Sequence, residues 1–122
     1  MDLLIVEDDQ SIRNLLKLVA RKSGCTFEAV DDGQKAIALA EQDWPRLVLL
    51  DYTLPNNFSG MDVWNRLIEI AAGRPVQVIL LTAVLTDDDV AEAKARGAVA
   101  ALTKPVSPVA LAALIKETLA KS

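Results

Sequence analysis

Histidine is absent from the 122 residues, and cysteine occurs once. The first absence excludes imidazole zinc sites, histidine-based triads and phosphohistidine formation within this chain. Any histidine chemistry in its function must come from a partner. The lone thiol, Cys25, excludes an intrachain disulfide and fits a reducing cytoplasm. There is no basic run, and the net charge of -4 argues against this segment binding DNA or RNA by itself. The opening apolar run, Leu3 to Val6, is far too short to span a membrane and has no basic flank or cleavage site. Repeats, low-complexity tracts and linkers are also lacking, so one domain over residues 1–122 is expected. What is present is ordinary for a soluble globular chain: 52% hydrophobic and 25% charged residues, enough for one core without staples.

Short apolar runs alternate with helix-period segments along the whole chain. Leu3–Val6, Thr26–Val30, Leu47–Leu50, Val76–Leu81 and Ala100–Thr103 read as strands. Between and after them, apolar residues fall at helical spacing: Ile12, Leu15, Leu16 and Val19; Ala36, Ile37 and Ala40; Val63, Trp64, Leu67, Ile68 and Ala71. An alanine-rich segment ends near Gly97, and Leu111, Leu114, Ile115 and Leu119 close the series. Five strands alternating with five helices predict an α/β fold, a doubly wound parallel sheet covered on both faces. Ser59 with Asp62 and Thr86 with Asp89 have capping-box spacing, and Ser107 precedes a proline suited to a first helical turn. In such a sheet, ligands bind beyond the carboxyl ends of the strands, near the switch in strand order.

Those strand ends carry Glu7-Asp8-Asp9, Asp51, Thr82 and Lys104-Pro105. Crowded carboxylates repel one another and resist ionisation unless a counter-ion relieves them. Carboxylate oxygen and water suit Mg2+ better than softer metals. Glu7, Asp8 and Asp51 would formally balance Mg2+ plus Lys104. A pocket so arranged suits a phosphoryl group, with Lys104 and the metal neutralising its oxygens and Thr82 donating a hydrogen bond. A carboxylate would be the nucleophile, forming an acyl phosphate.

The runs Val6-Glu7-Asp8-Asp9-Gln10-Ser11-Ile12-Arg13, Leu49-Leu50-Asp51-Tyr52-Thr53-Leu54-Pro55, Leu81-Thr82-Ala83 and Leu102-Thr103-Lys104-Pro105 resemble the receiver domains of two-component response regulators. The resemblance covers nearly the whole chain, in order and at the expected spacing. It implies the flavodoxin-like receiver fold, with Asp51 as phosphoacceptor and Asp8 as a direct Mg2+ ligand. Glu7 would hold the metal largely through water, and the Thr53 backbone carbonyl would complete the site. Thr82 would be the switch hydroxyl, Lys104 the cation paired with phosphate, and the Lys104–Pro105 bond cis. The implied partner is a sensor histidine kinase or histidine phosphotransfer protein, in a cytoplasmic phosphorelay. The implied activity is that of a stoichiometric phosphoacceptor that catalyses its own phosphorylation and dephosphorylation, not of a turnover enzyme. A phosphorylation-dependent dimer is one output of such domains. No effector segment follows the last helix here, which fits a stand-alone receiver or a piece of a longer regulator.

Three departures stand out. The segment Asn56–Gly60 is one residue longer than the commonest family loop. Ala101 stands where relatives usually carry an aromatic switch residue, so a ring turning inward cannot be part of the switch. Thr53 and Val84 occupy positions that tune phosphoryl lifetime. Elsewhere the expectations are structural. Asp9 should cap the first helix, and Asp87, Asp88 and Asp89 should serve a helix N-terminus. Asp31-Asp32-Gly33 should turn, and Cys25, Trp44 and Trp64 should pack. Three competing functions were set against the receiver. An aspartyl-phosphate phosphatase of the haloacid dehalogenase type would place its nucleophile after the first strand and need room for a cap. A flavin module would not put Glu7-Asp8-Asp9 where phosphate binds. A receiver-like interaction module that takes no phosphate would not need the full set of Glu7, Asp8, Asp51, Thr82 and Lys104.

Overall fold

The computed structural model describes residues 1–83 and 86–121. Val84 therefore lies outside the described residues. Strands β1 (Leu3–Val6), β2 (Phe27–Val30), β3 (Leu47–Asp51), β4 (Gln77–Thr82) and β5 (Ala100–Thr103) alternate with five helices. These are α1 (Gln10–Lys22), α2 (Gly33–Gln42), α3 (Gly60–Ile70), α4 (Asp87–Ala95) and α5 (Pro108–Lys121). The strands form one parallel sheet in the order β2-β1-β3-β4-β5. Register runs Leu3 to Leu47 between β1 and β3, and Asp51 to Leu81 between β3 and β4. This is the doubly wound, flavodoxin-like (βα)5 fold that the alternation predicts. No helix among the described residues is long and apolar enough to cross a membrane.

The period of two in a strand sends alternate side chains to opposite faces, and both faces here are covered. Leu4, Val6, Val48, Leu50, Val78 and Leu80 pack against Ala36, Ile37, Val63, Trp64 and Leu67 of α2 and α3. Leu3, Ile5, Leu47, Leu49, Ile79 and Leu81 pack against Leu16, Val19, Leu111 and Ile115 of α1 and α5. Each such fully buried aliphatic side chain contributes about 1.5–3 kcal/mol relative to exposure, so the three central strands anchor the molecule. The helix starts behave as their residues require. Asp9 accepts from the Ile12 N–H and Asp32 from the Lys35 N–H, while Ser59 and Thr86 complete capping boxes with Asp62 and Asp89. The Ser107 hydroxyl accepts from the Ala110 N–H. Asp31-Asp32-Gly33 is thus a bend that delivers a helix cap. Cys25 is half-buried, its Sγ beside the Ala20 carbonyl, and burial pushes its thiol up, so it packs and does not react.

Two expectations about burial differ. Leu15 and Ile68 lie at helical spacing with core residues yet are exposed, at 36% and 52%. Leu15 lines an open groove between α1 and α5 that α5 does not close, and Ile68 stands at the margin of its apolar stripe. On α5, Leu114 and Leu119 are half-buried, whereas Thr118 is buried with its hydroxyl donating to the Leu114 carbonyl.

Helix α4 is the most lightly seated of the helices. Its one buried residue is Ala93, and beside Ala101 a cavity of about 340 Å3 separates it from β5. Its C-terminal end is held instead by Arg96, whose guanidinium lies 4.5 Å from the centroid of the buried Trp64 ring. Arg96 also donates to Asn65 Oδ1 at 2.5 Å. Replacing Arg96 by alanine should therefore cost about 1–2 kcal/mol, the sum of a partly desolvated cation–π contact and one hydrogen bond. Denaturant unfolding followed by tryptophan emission would show it, and an unchanged midpoint would count against this tether.

Candidate functional site

The order of the strands reverses at β1, which has β2 on one side and β3 on the other. The crevice beyond their carboxyl ends receives Glu7 from the end of β1, Asp51 from the last position of β3 and Lys104 from just beyond β5. Backbone contacts lock these ends together. The Glu7 N–H donates to Val30, Tyr52 N–H to Leu81 and Lys104 N–H to Thr82, all at 2.8–3.1 Å. Gly60 lies directly over the Asp51–Tyr52 backbone, where a Cβ would collide with the Asp51 carbonyl oxygen. Only glycine allows α3 to start so close to β3. The loop between them turns through Asn56 and Asn57, both left-handed at φ 66° and 53°, which asparagine tolerates well.

Among the described residues, Glu7, Asp8 and Asp51 bring one carboxylate oxygen each to within 4.8 Å of one another. Glu7 is fully buried, Asp51 is 4% exposed, and Asp8 faces solvent. Lys104 Nζ stands 2.5 Å from Glu7 Oε1 and 3.3 Å from Asp51 Oδ1. The first approach is a charge contact, since Glu7 Oε1 makes no directed hydrogen bond. The Thr53 N–H donates to Asp51 Oδ1, and the Asp9 N–H donates to Glu7 Oε2. Thr82, at the end of β4, is 7% exposed. The Lys104–Pro105 bond is cis.

Charge decides what this group can do. Burial, then the hydrogen bond and repulsion from Glu7, push Asp51 up to about 7, against the pull of Lys104. Burial also works against the charge on Lys104, but its contact with Glu7 and the nearness of Asp51 outweigh that and hold the ammonium above its ordinary range. Lys104 thus pairs with two of the three clustered acids, and one of them, Asp51, holds its proton near neutrality. The donor set is all hard oxygen, which fits a small divalent cation.

The structure brings together Glu7, Asp8, Asp51 and Lys104, with Thr82 at the end of β4 and Thr53 two residues beyond β3. Asp9 stands at the helix cap, and Asp87–Asp89 stand at the start of α4. Sequence reasoning gave no role to Arg13, whose guanidinium turns back onto the β1–α1 loop. The available signal was an arginine one turn into α1, directly after the acids.

Comparisons with known proteins agree with this architecture. The sequence profile described as Response regulator receiver domain matches residues 3–116. An uncharacterized 14.6 kDa protein from Leptolyngbya boryana is 31% identical over 96% of this chain and 88% of its own length. The phosphate regulon transcriptional regulatory protein PhoB of Klebsiella pneumoniae is 34% identical over 93% of this chain, which spans 49% of that protein. A CheY-like response regulator receiver domain protein from Methanospirillum hungatei superimposes with a TM-score of 0.83 at 28% identity, covering 98% of this chain and 94% of the other. With a family match over residues 3–116, nearly the whole sequence, this chain belongs to the response regulator receiver domain family.

Proposed function

We propose that residues 1–122 form one receiver domain in which Asp51 accepts a phosphoryl group from the phosphohistidine of a sensor histidine kinase or histidine phosphotransfer protein. The observation that carries this reading is the buried Asp51 carboxyl, raised to about 7 among Glu7, Asp8 and Lys104. An Asp51 oxygen attacks phosphorus in line. The P–N bond to the donor imidazole breaks, and its electron pair leaves with the imidazole. Glu7, Asp8, Asp51 and the Thr53 backbone carbonyl would hold Mg2+, which when bound favours the ionised nucleophile and neutralises phosphoryl charge. Lys104 then pairs with a phosphoryl oxygen, and the Thr82 hydroxyl donates to another.

Ile12, Leu15, Pro105 and Val106 flank Lys104 as an apolar rim, the face we assign to the docked donor. Inward movement of Thr82 and Lys104 would shift the loop after β4 and the lightly seated α4. The surface of α4, β5 and α5 would then report the state to an effector or a second copy. The domain would work in the cytoplasm as a stoichiometric acceptor that promotes its own phosphorylation and hydrolysis. Intact mass after incubation with acetyl phosphate tests the reading. A single phosphoryl gain is expected for the wild type with Mg2+, and none for Asp51→Asn or without Mg2+. No gain in any arm, with no Mg2+ binding, would leave an interaction module that takes no phosphate.

A further inference from the structure

The side chain of Arg13 does not point at the carboxylates. It folds back from the first turn of α1, where its N–H donates to the Asp9 carbonyl at 2.8 Å. Its Nη1 then donates to two successive carbonyls, Glu7 at 3.1 Å and Asp8 at 3.3 Å. These oxygens belong to the residues that leave the sheet. The Glu7 N–H makes a last sheet contact to Val30, and Asp9 already serves as the cap of α1. Between those two anchors the backbone at Glu7 and Asp8 is held by the guanidinium.

That segment carries two of the three clustered acids, and they repel one another when no cation is bound. Asp8 is exposed, so water can take its carboxylate when no cation holds it. We propose that Arg13 is a positioning residue for the metal site: by holding the Glu7 and Asp8 carbonyls it keeps both carboxylates presented to a divalent cation before the cation arrives. The proposal rests on the reading of this pocket as a Mg2+ site. It adds a residue that works through the backbone and not through its charge.

Charge and clamp act in opposite senses, which makes the idea testable. A guanidinium near a dication weakens metal binding by repulsion, so its removal alone would tighten binding. Loss of the clamp frees the loop and weakens binding, and supporting contacts of this kind typically contribute about tenfold in metal affinity. The experiment is calorimetric titration of metal-free protein with Mg2+ for wild type, Arg13→Ala and Arg13→Lys, each first shown folded by thermal melting. The expected result is about tenfold weaker binding for R13A, with R13K weaker than wild type and no tighter than R13A, because it keeps the repelling charge but loses the fixed geometry of the guanidinium.

Where R13A fails to fold, R13Q replaces it, its amide able to reach one carbonyl, with binding expected between R13K and wild type or level with R13K. Affinities equal to wild type, or tighter in R13A, would overturn the clamp while leaving the Mg2+ site intact. A wild type that takes up neither Mg2+ nor phosphoryl would remove the site reading, and the clamp with it. A loss of melting temperature with unchanged Mg2+ affinity would make Arg13 a structural residue and also overturn the proposal.

Discussion

Asp51→Asn is expected to melt higher than the wild type in metal-free buffer at pH 8, and the gap is expected to narrow by pH 5. The sign follows from the crowding of the pocket. The carboxyl of Asp51 titrates near 3.8 in an unfolded chain and at about 7 in the fold. Between those values the native state holds a proton that the unfolded state has released. Stability must therefore fall as pH rises through that window and level off above it. Asparagine at this position titrates nowhere in the range and can still accept from the Thr53 N–H, so the variant escapes the fall. Solvent at the mouth of the crevice screens part of the repulsion, which leaves a gain of about 1–2 kcal/mol at pH 8.

Mg2+ should reverse the comparison, since a ligand that binds only the folded wild type raises its melting temperature and leaves the variant where it was. The readout is a set of melts at pH 5 and pH 8, with and without Mg2+. A wild type whose metal-free stability does not change between those pH values, beside a less stable variant, would contradict the crowded-acid account. The gain in stability and the loss of phosphoryl uptake would come from the same atom. This is the trade expected where a strained charge is kept for chemistry.

How much of this was legible in the sequence depended on whether a feature is local. Leu47–Leu50 reads as a doubly buried strand because four consecutive aliphatic residues have no polar face to expose, and all four are fully buried. The caps at Asp9, Ser59, Thr86 and Ser107 are legible because a cap and its N–H partner lie within three residues. Ile68 was misleading for the opposite reason. Helical spacing says which residues share a face, but the edge of that face is set by what packs on it, and no helix reaches Ile68. In the site, the strand-end rule locates Glu7, Asp8, Asp51 and Lys104 together. It does not say that the ammonium sits closer to Glu7 than to Asp51, or that Asp51 keeps a proton, because those depend on distances between three strands. Arg13 was illegible because its partners are backbone carbonyls, which every residue has.

Removing that ammonium should have the larger effect. Lys104→Met leaves Glu7, which is fully buried, with no cation within ion-pair distance among the described residues. Breaking one side of a buried pair costs about 3–5 kcal/mol, because the remaining charge keeps its desolvation penalty without the attraction that offset it. Lys104 is partly exposed, at 16%, so the lower end applies. A loss of about 3 kcal/mol corresponds to roughly 10 °C in melting temperature for a chain of this size. The pH dependence is set by the lysine, whose folded value lies above the ordinary 10.5. Stability from a raised base is fully present below its unfolded value and is lost only as pH climbs through the folded one. Because Lys104 also pulls against the raised value of Asp51, the deficit should be smaller on the acid side of about 7, and it should close in strong alkali as the lysine loses its proton. Mg2+ should restore more stability to K104M than it adds to the wild type, since the dication then replaces the ammonium that paired with Glu7 and Asp51. Melts at pH 7.5 with and without Mg2+ decide it. A variant as stable as the wild type without metal would mean that Glu7 does not depend on Lys104. A full deficit that Mg2+ fails to reduce would mean that the three acids do not form a common cation site.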